Sequence, residues 1–192
     1  MKILFLRHTR VEDPATCYGM SEMPLAASFQ NDMASVMPLL QPFKIDRMIS
    51  SPLGRCKQLA RFISERSDLP FETDKRLCEL DFGEWEGLKW DEIDRKQLKL
   101  WSSDYCNTAP PGGETYLQLQ QRADECLKSL SGGEDETVLV VTHGGVIRAA
   151  LALAIDLSLE KAFNLVVDYG SISMVERLRR HQKVHFVNRI AL

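Results

Sequence analysis

"KILFLRHTR" (2–10) opens as a greasy run and stops abruptly at a cation and an imidazole, Arg7 and His8. The first part, "KILFL" (2–6), suits a strand covered on both faces of a largely parallel sheet. A second run, "TVLVV" (137–141), has the same character and ends in Thr142, His143, Gly144 and Gly145. In open α/β sheets, ligands lie beyond the carboxyl ends of the strands, where loops and helix N-termini converge. Two histidines at two such ends can share one pocket, however far apart they lie in the chain. Gly144 and Gly145 let the backbone approach a ligand closely.

A weaker third strand, "DRMIS" (46–50), leads into "SPLGR". The pattern predicts a helix there, with Ser51 as cap and Pro52 as its first residue, placing Arg55 in the first turn. Arg7, Arg55 and the unpaired N–H groups of that helix make an expected anion site, and a planar guanidinium suits phosphate oxygens. Either histidine alone reads as a strand-end residue with local hydrogen bonds. Two at equivalent strand ends, with arginines beside them, read as a site.

The rest of the chain supplies the layers. Leu25, Phe29, Met33, Val36 and Leu40 step by three or four, with Pro38 expected to fray the end of that helix. Leu53, Cys56, Leu59, Ala60 and Ile63 repeat the pattern behind Pro52. Tyr116, Leu119, Ala123, Cys126, Leu127 and Leu130 mark another helix, with Gly132 expected to close it. "SISMVE" (171–176) and "KVHFVN" (183–188) read as a hairpin. The fold class is therefore α/β: a three-layer sandwich with a mixed, mostly parallel central sheet and helices on both faces. The only breaks, "PPGG" (110–113) and "SGGEDE" (131–136), are short, and there is no repeat or linker. Residues 1–192 read as one domain.

Composition narrows the function. A net charge of −3 over 192 residues argues against a nucleic-acid partner. No apolar run approaches membrane-spanning length, and Arg7 cuts the opening stretch too early for a signal peptide. Five scattered cysteines (Cys17, Cys56, Cys78, Cys106, Cys126) with no CxxC pair read as reduced thiols of a cytoplasmic protein. His181 and His185 straddle a turn and a strand without a carboxylate cluster, so they read as surface residues and no metal site is expected. Trp85, Trp90 and Trp101 suit core or cap packing, the sharper alternative being a wall against an aromatic substrate. Nothing in the sequence speaks to oligomeric state.

"LRHT" (6–9), "SSPLGRCKQLA" (50–60), "CELDFGEWEG" (78–87), "PGGET" (111–115) and "VVTHGG" (140–145) together resemble the histidine phosphatase superfamily, in the family's order and across nearly the whole chain. The resemblance implies a phosphoglycerate-mutase-like fold. It implies His8 as the phosphorylated nucleophile and Glu79 as the proton donor, with Arg7, Arg55 and His143 completing the phosphate pocket. The residue types fit that chemistry: a neutral imidazole attacks phosphorus, water hydrolyses the phosphohistidine, and a carboxylic acid protonates the leaving oxygen. Four carboxylates crowd the acid segment: Glu79, Asp81, Glu84 and Glu86. Composition does not choose among them; the family's "E-x-x-F/Y-G" pattern implies Glu79, with Asp81 as runner-up.

Departures refine the resemblance. Thr9 stands where the superfamily usually has glycine, and "PLAASF" (24–29) replaces the common "PLT-x-x-G". Gly144 argues against the acid-phosphatase branch, which places Asp after its second histidine. Thr9 and "TCYGMSEMPL" (16–25) look most like the alpha-ribazole phosphatase branch of cobalamin biosynthesis, with Glu22 in place of its Asp. The implied activity is hydrolysis of a small phosphomonoester without cofactor or metal, with alpha-ribazole phosphate as substrate. The alternatives are a phosphoglycerate mutase, a broad-specificity sugar-phosphate phosphatase and a non-catalytic phosphate-binding module. The short stretch between "GEWEG" and "PPGGE" favours the phosphatase over mutases, which carry a longer basic insertion there.

Overall fold

The computed structural model describes residues 1–191. In chain order the elements are β1 (Lys2–Arg7), α1 (Phe29–Leu40), β2 (Arg47–Ser50), α2 (Gly54–Ser67), β3 (Phe71–Thr73), α3 (Arg95–Ser103), α4 (Tyr116–Ser129), β4 (Thr137–Thr142), α5 (Gly144–Ala154), β5 (Ile172–Arg177) and β6 (Gln182–Arg189). One six-stranded sheet runs β3-β2-β4-β1-β5-β6. Its first four strands are parallel, and β5 and β6 are antiparallel additions. The mixed, mostly parallel sheet read from the sequence is the one observed.

The period of two along β1 and β4 builds the layers. Leu4, Leu6, Leu139 and Val141 pack with Met33, Val36 and Leu40 of α1 and Leu59 and Ile63 of α2. Ile3, Phe5, Val138 and Val140 face the other way, onto Leu119 and Ala123 of α4 and Ile147 and Leu151 of α5. Successive side chains of a strand point to opposite faces, so a strand buried on both sides must be apolar at every position. That requirement is what the two runs satisfied.

Element ends differ from expectation for physical reasons. Helix α1 begins at Phe29, because Leu25 pairs with Val11 in an isolated bridge. Pro38 lies inside α1 rather than ending it; burial of Met33, Val36 and Leu40 carries the helix past the missing N–H. Helix α2 starts at Gly54, not Pro52, since Leu53 is extended at φ −63° and ψ 139°. Helix α4 opens with a capping box between Thr115 and Gln118 and ends at Ser129, so Gly132 lies beyond its end and does not close it. Two elements carried no sequence signal: β3, three residues with none buried, and α3, which buries no residue at all. All five cysteines are buried free thiols. Among the described residues no helix is long and apolar enough to cross a membrane.

Candidate active site

Strand register brings the two histidines together. In the parallel β1–β4 ladder Arg7 faces Thr142, so the next residues, His8 and His143, emerge side by side. Their ring centroids are 5.1 Å apart. In the β2–β4 ladder Ser50 faces Val141, which brings Ser51 to the same level. Ser51 Oγ lies 2.8 Å from His143 Nε2. Three adjacent strand ends thus build the floor of one site.

His8 is almost wholly buried, with a ring nitrogen fixed by its neighbour: Nδ1 lies 2.8 Å from the Thr9 carbonyl. A carbonyl only accepts, so Nδ1 carries the proton and Nε2 keeps its lone pair. Burial, then the charges of Arg55 and Arg7, hold the His8 pKa well below the usual histidine range. His143 is depressed in the same direction by burial, Arg55, His8 and Arg7. Both imidazoles are therefore neutral. A neutral imidazole with a free Nε2 is a nucleophile in waiting.

Arg55 is fully buried, held by its Nη1 on Ser21 O (2.8 Å), Nη2 on Gly19 O (2.5 Å) and Nε on His143 Nδ1 (3.3 Å). Since His143 Nδ1 accepts, its Nε2–H donates to Ser51. Arg7 donates from Nη1 to Val167 O at 2.6 Å, while its buried Nε has no partner. Among the described residues neither arginine forms an ion pair. Two guanidiniums without a carboxylate leave net positive charge at the strand ends, which favours an anion.

The expected contribution of the α2 N-terminus needs correction. Both carboxylate oxygens of Glu22 sit on the Gly54 N–H, at 3.0 and 2.9 Å, so that donor serves a side chain of the protein. The helix positive end is met by Glu22, and the anion site rests on the arginines.

The four carboxylates of 79–86 separate clearly. Asp81 Oδ1 accepts from Gly83 N at 2.8 Å and closes its own turn. Glu86 takes the N–H groups of Met20 (2.7 Å) and Phe82 (3.1 Å) and also Ser21, tying this segment to the loop after β1. Glu84 is exposed. Only Glu79 lines the cavity in front of His8. The strand of backbone bearing it is clamped by Arg122, which donates to Arg76 O, Cys78 O and Glu79 O and pairs with Glu114 of "PGGET" at 2.5 Å.

That cavity, about 190 Å³, is lined by Arg7, His8 and Glu79 together with Tyr18, Phe82 and Trp90. Arg55 and His143 do not line it but adjoin residues that do: His143 lies beside His8, and Arg55 Cζ is 5.0 Å from the Tyr18 ring centroid. Arg148 also reaches it, half-buried, its Nε on Leu165 O at 2.8 Å. A Cβ on Gly144 would lie 2.9 Å from Arg148 Nη1 and 3.3 Å from Arg7 Nε, so glycine is what lets both arginines approach. Sequence reasoning missed Arg148, Tyr18 and Tyr169. Arg148 had a signal: it is the single charge in "GGVIRAALALA", an otherwise apolar helix. Trp90 reaches the cavity wall, whereas Trp85 is buried with Cys17 and Ile93 and Trp101 packs against that cluster. Among the described residues no group of three or more His, Cys, Asp or Glu side chains is arranged to hold a metal ion. His185 instead meets Glu176 at 3.0 Å on the far strands.

The model of the histidine phosphatase superfamily (branch 1) matches residues 3–190. The adenosylcobalamin/alpha-ribazole phosphatase of Escherichia coli K12 is 25% identical over 198 residues, covering 100% of this chain and 98% of its own. The crystal structure of the alpha-ribazole phosphatase from Shigella flexneri shares the fold with a TM-score of 0.90, at 24% identity and covering 100% and 98% of the two chains. Bacillus stearothermophilus YhfR superimposes with a TM-score of 0.85 at 27% identity, covering 96% and 95%. These likenesses join two neutral histidines at adjacent strand ends, with Arg7 and Arg55 beside them and Glu79 in the same cavity as His8: the chain belongs to the histidine phosphatase superfamily and is a phosphoric monoester hydrolase.

Proposed function

We propose that the chain acts as one catalytic domain in which His8 is the nucleophile and alpha-ribazole phosphate the substrate. The observation that carries the mechanism is the state of His8: neutral, its Nδ1–H spent on Thr9 O, its Nε2 free at the cavity beside Arg7, which forms no ion pair among the described residues. The phosphate group takes the remaining N–H donors of Arg7 and Arg55. Nε2 attacks phosphorus in line, and the P–O bond to the alcohol breaks as the P–N bond forms. Glu79, as the acid, gives its proton to the departing oxygen; as carboxylate it then takes one from the water that cleaves the P–N bond. Phosphate leaves and His8 returns neutral. His143 belongs to this pocket through Arg55, whose Nε it receives.

The substrate assignment is supported by the aromatic residues that share the cavity with the catalytic groups. Tyr18, Phe82, Trp90 and Phe163 offer ring surface to a flat aromatic leaving group. The adenosylcobalamin/alpha-ribazole phosphatase relatives from Escherichia coli and Salmonella typhimurium point the same way.

Rapid quenching tests the mechanism. Phosphate is expected on His8 as an acid-labile, base-stable adduct, and His8→Ala is expected to abolish turnover with the fold retained. An adduct on another residue, or an active His8→Ala, overturns the assignment. A panel of alpha-ribazole phosphate, 3-phosphoglycerate and sugar phosphates tests the substrate, with the highest kcat/KM expected for the first.

A further inference from the structure

Tyr18 and Tyr169 come from different loops, one after β1 and one before β5, yet their hydroxyls meet at 2.7 Å. Each ring lies under a different phosphate-pocket arginine. Arg7 Cζ sits 3.7 Å from the Tyr169 centroid, and Arg55 Cζ 5.0 Å from that of Tyr18. The Tyr169 ring also flanks His8, centroids 5.4 Å apart. No step of the reaction proposed above uses either phenol.

We propose that Tyr18 and Tyr169 are positioning residues forming one clamp, which holds the Arg7 and Arg55 guanidiniums by their faces and so leaves to the phosphate the N–H donors that backbone carbonyls and His143 do not already take: Nε and Nη2 of Arg7 and the second N–H of each Arg55 Nη. The argument is one of charge. An arginine kept in place by a carboxylate is partly neutralised, and the carboxylate competes with the substrate for the same donors. A ring face fixes the guanidinium plane through its quadrupole and leaves the full charge for the ligand. Val167 O holds Arg7 at Nη1 only; without the Tyr169 ring on its face, the guanidinium would have to lose its remaining freedom at the moment of binding, at a cost to affinity. The hydroxyl pair makes the two stacks one unit, because removing either partner leaves the other phenol half-buried without its hydrogen bond. Burial and the hydrogen bond to Tyr169 both raise the Tyr18 pKa, so that phenol keeps its proton.

The inference rests on the phosphate-pocket reading of Arg7 and Arg55, and one experiment separates the two. KM and the inhibition constant of inorganic phosphate are measured for wild type, Tyr18→Phe, Tyr169→Phe, the double Phe variant, Tyr169→Leu and Arg7→Met. The isosteric single Phe variants are expected to raise both constants together by roughly two- to tenfold, the scale of one hydrogen bond. The double is expected to be no worse than the weaker-binding single, since both lose the same bond. Tyr169→Leu, which loses the ring as well, is expected to bind phosphate at least about tenfold more weakly than Tyr169→Phe, the conservative variant restoring most of the loss. Unchanged phosphate inhibition in the Phe variants, or effects of the two singles that multiply in the double, overturns the clamp. An Arg7→Met enzyme with undiminished phosphate inhibition overturns the pocket reading and the clamp with it. Weak phosphate binding by Arg7→Met alongside wild-type binding by both Tyr169 variants overturns the clamp alone.

Discussion

Gly145 donates its backbone N–H to Glu79 Oε2 at 3.0 Å, across 66 residues of chain. A Cβ at position 145 would fall well inside contact distance of Glu79 Oε1. The second glycine after His143 therefore does two things: it binds the carboxylate and it makes room for it. Gly145→Ala is expected to push Glu79 out of line and lower kcat for alkyl phosphates by roughly 10²-fold or more, within the range general acid catalysis contributes. Aryl esters such as p-nitrophenyl phosphate, whose leaving group needs little protonation, are expected to lose far less. Equal losses on both substrates would mean that the added methyl disturbs more than the acid.

The acid assignment has its own test. Glu79→Gln is expected to slow alkyl phosphates selectively while phosphoryl transfer limits the rate. Asp81→Asn removes a turn hydrogen bond to Gly83 instead, so its effect is expected to fall on stability and on all substrates alike. Leaving-group dependence of kcat for the two variants distinguishes them; selectivity in Asp81→Asn alone would reverse the roles.

Acid pH should affect stability before it affects the protonation state of His8. Both His8 and His143 are held below their unfolded pKa, chiefly by burial and then by Arg55. Below about pH 6.5 the unfolded chain takes up protons that the native state refuses, so stability falls as pH falls. Two such groups give a slope approaching roughly 2.7 kcal/mol per pH unit until the native pKa values are reached. Denaturant unfolding between pH 7 and 5 measures it. Protonation of His8 is expected to lower kcat/KM only at a pH below the usual histidine range, after the loss of stability has begun.

Tryptophans 85 and 90 should fail differently. Trp90→Ala is expected to raise KM for alpha-ribazole phosphate about tenfold, on the scale of a lost stacking contact, and to leave a small aliphatic phosphate unaffected. Trp85 is only 3% exposed and donates to Gln97 at 3.2 Å, so Trp85→Ala is expected to cost roughly 3–5 kcal/mol of stability, read by denaturant midpoint. A matching loss on both substrates for Trp90→Ala would make it a packing residue too.

Glu22→Ala is expected to destabilise the protein by about 1 kcal/mol, because it strips the carboxylate from the α2 N-terminus. Arg55 lies in the first turn of that helix, so a modest rise in KM is expected beside the loss in unfolding free energy.

How much of this was legible depended on the range of the interaction concerned. The two apolar runs and their terminal histidines were plain, because a strand buried on both faces must be apolar throughout, and that constraint is written residue by residue. Arg55 was legible for a similar reason, as a cation placed just after a strand end. Ser51 was read as a helix cap, and its side chain instead serves His143, a residue of another strand. Tyr169 left no trace at all, since nothing local distinguishes a tyrosine that stacks on an arginine from one that faces solvent.

By itself the sequence determined the layers and the end of the sheet at which the site lies. Period-two burial sets each strand's faces, and the polar residues that interrupt each run mark where it emerges. The tertiary structure decided the rest. The Arg7–Thr142 register, not any local pattern, puts His8 beside His143. The fold of 79–86 against the loop after β1 and against Gly145 brings Glu79, alone of the four carboxylates that composition leaves equal, to the cavity that His8 lines. Register and loop docking are contacts between segments remote in the chain; they are set by how whole elements pack, and no single stretch of residues encodes them.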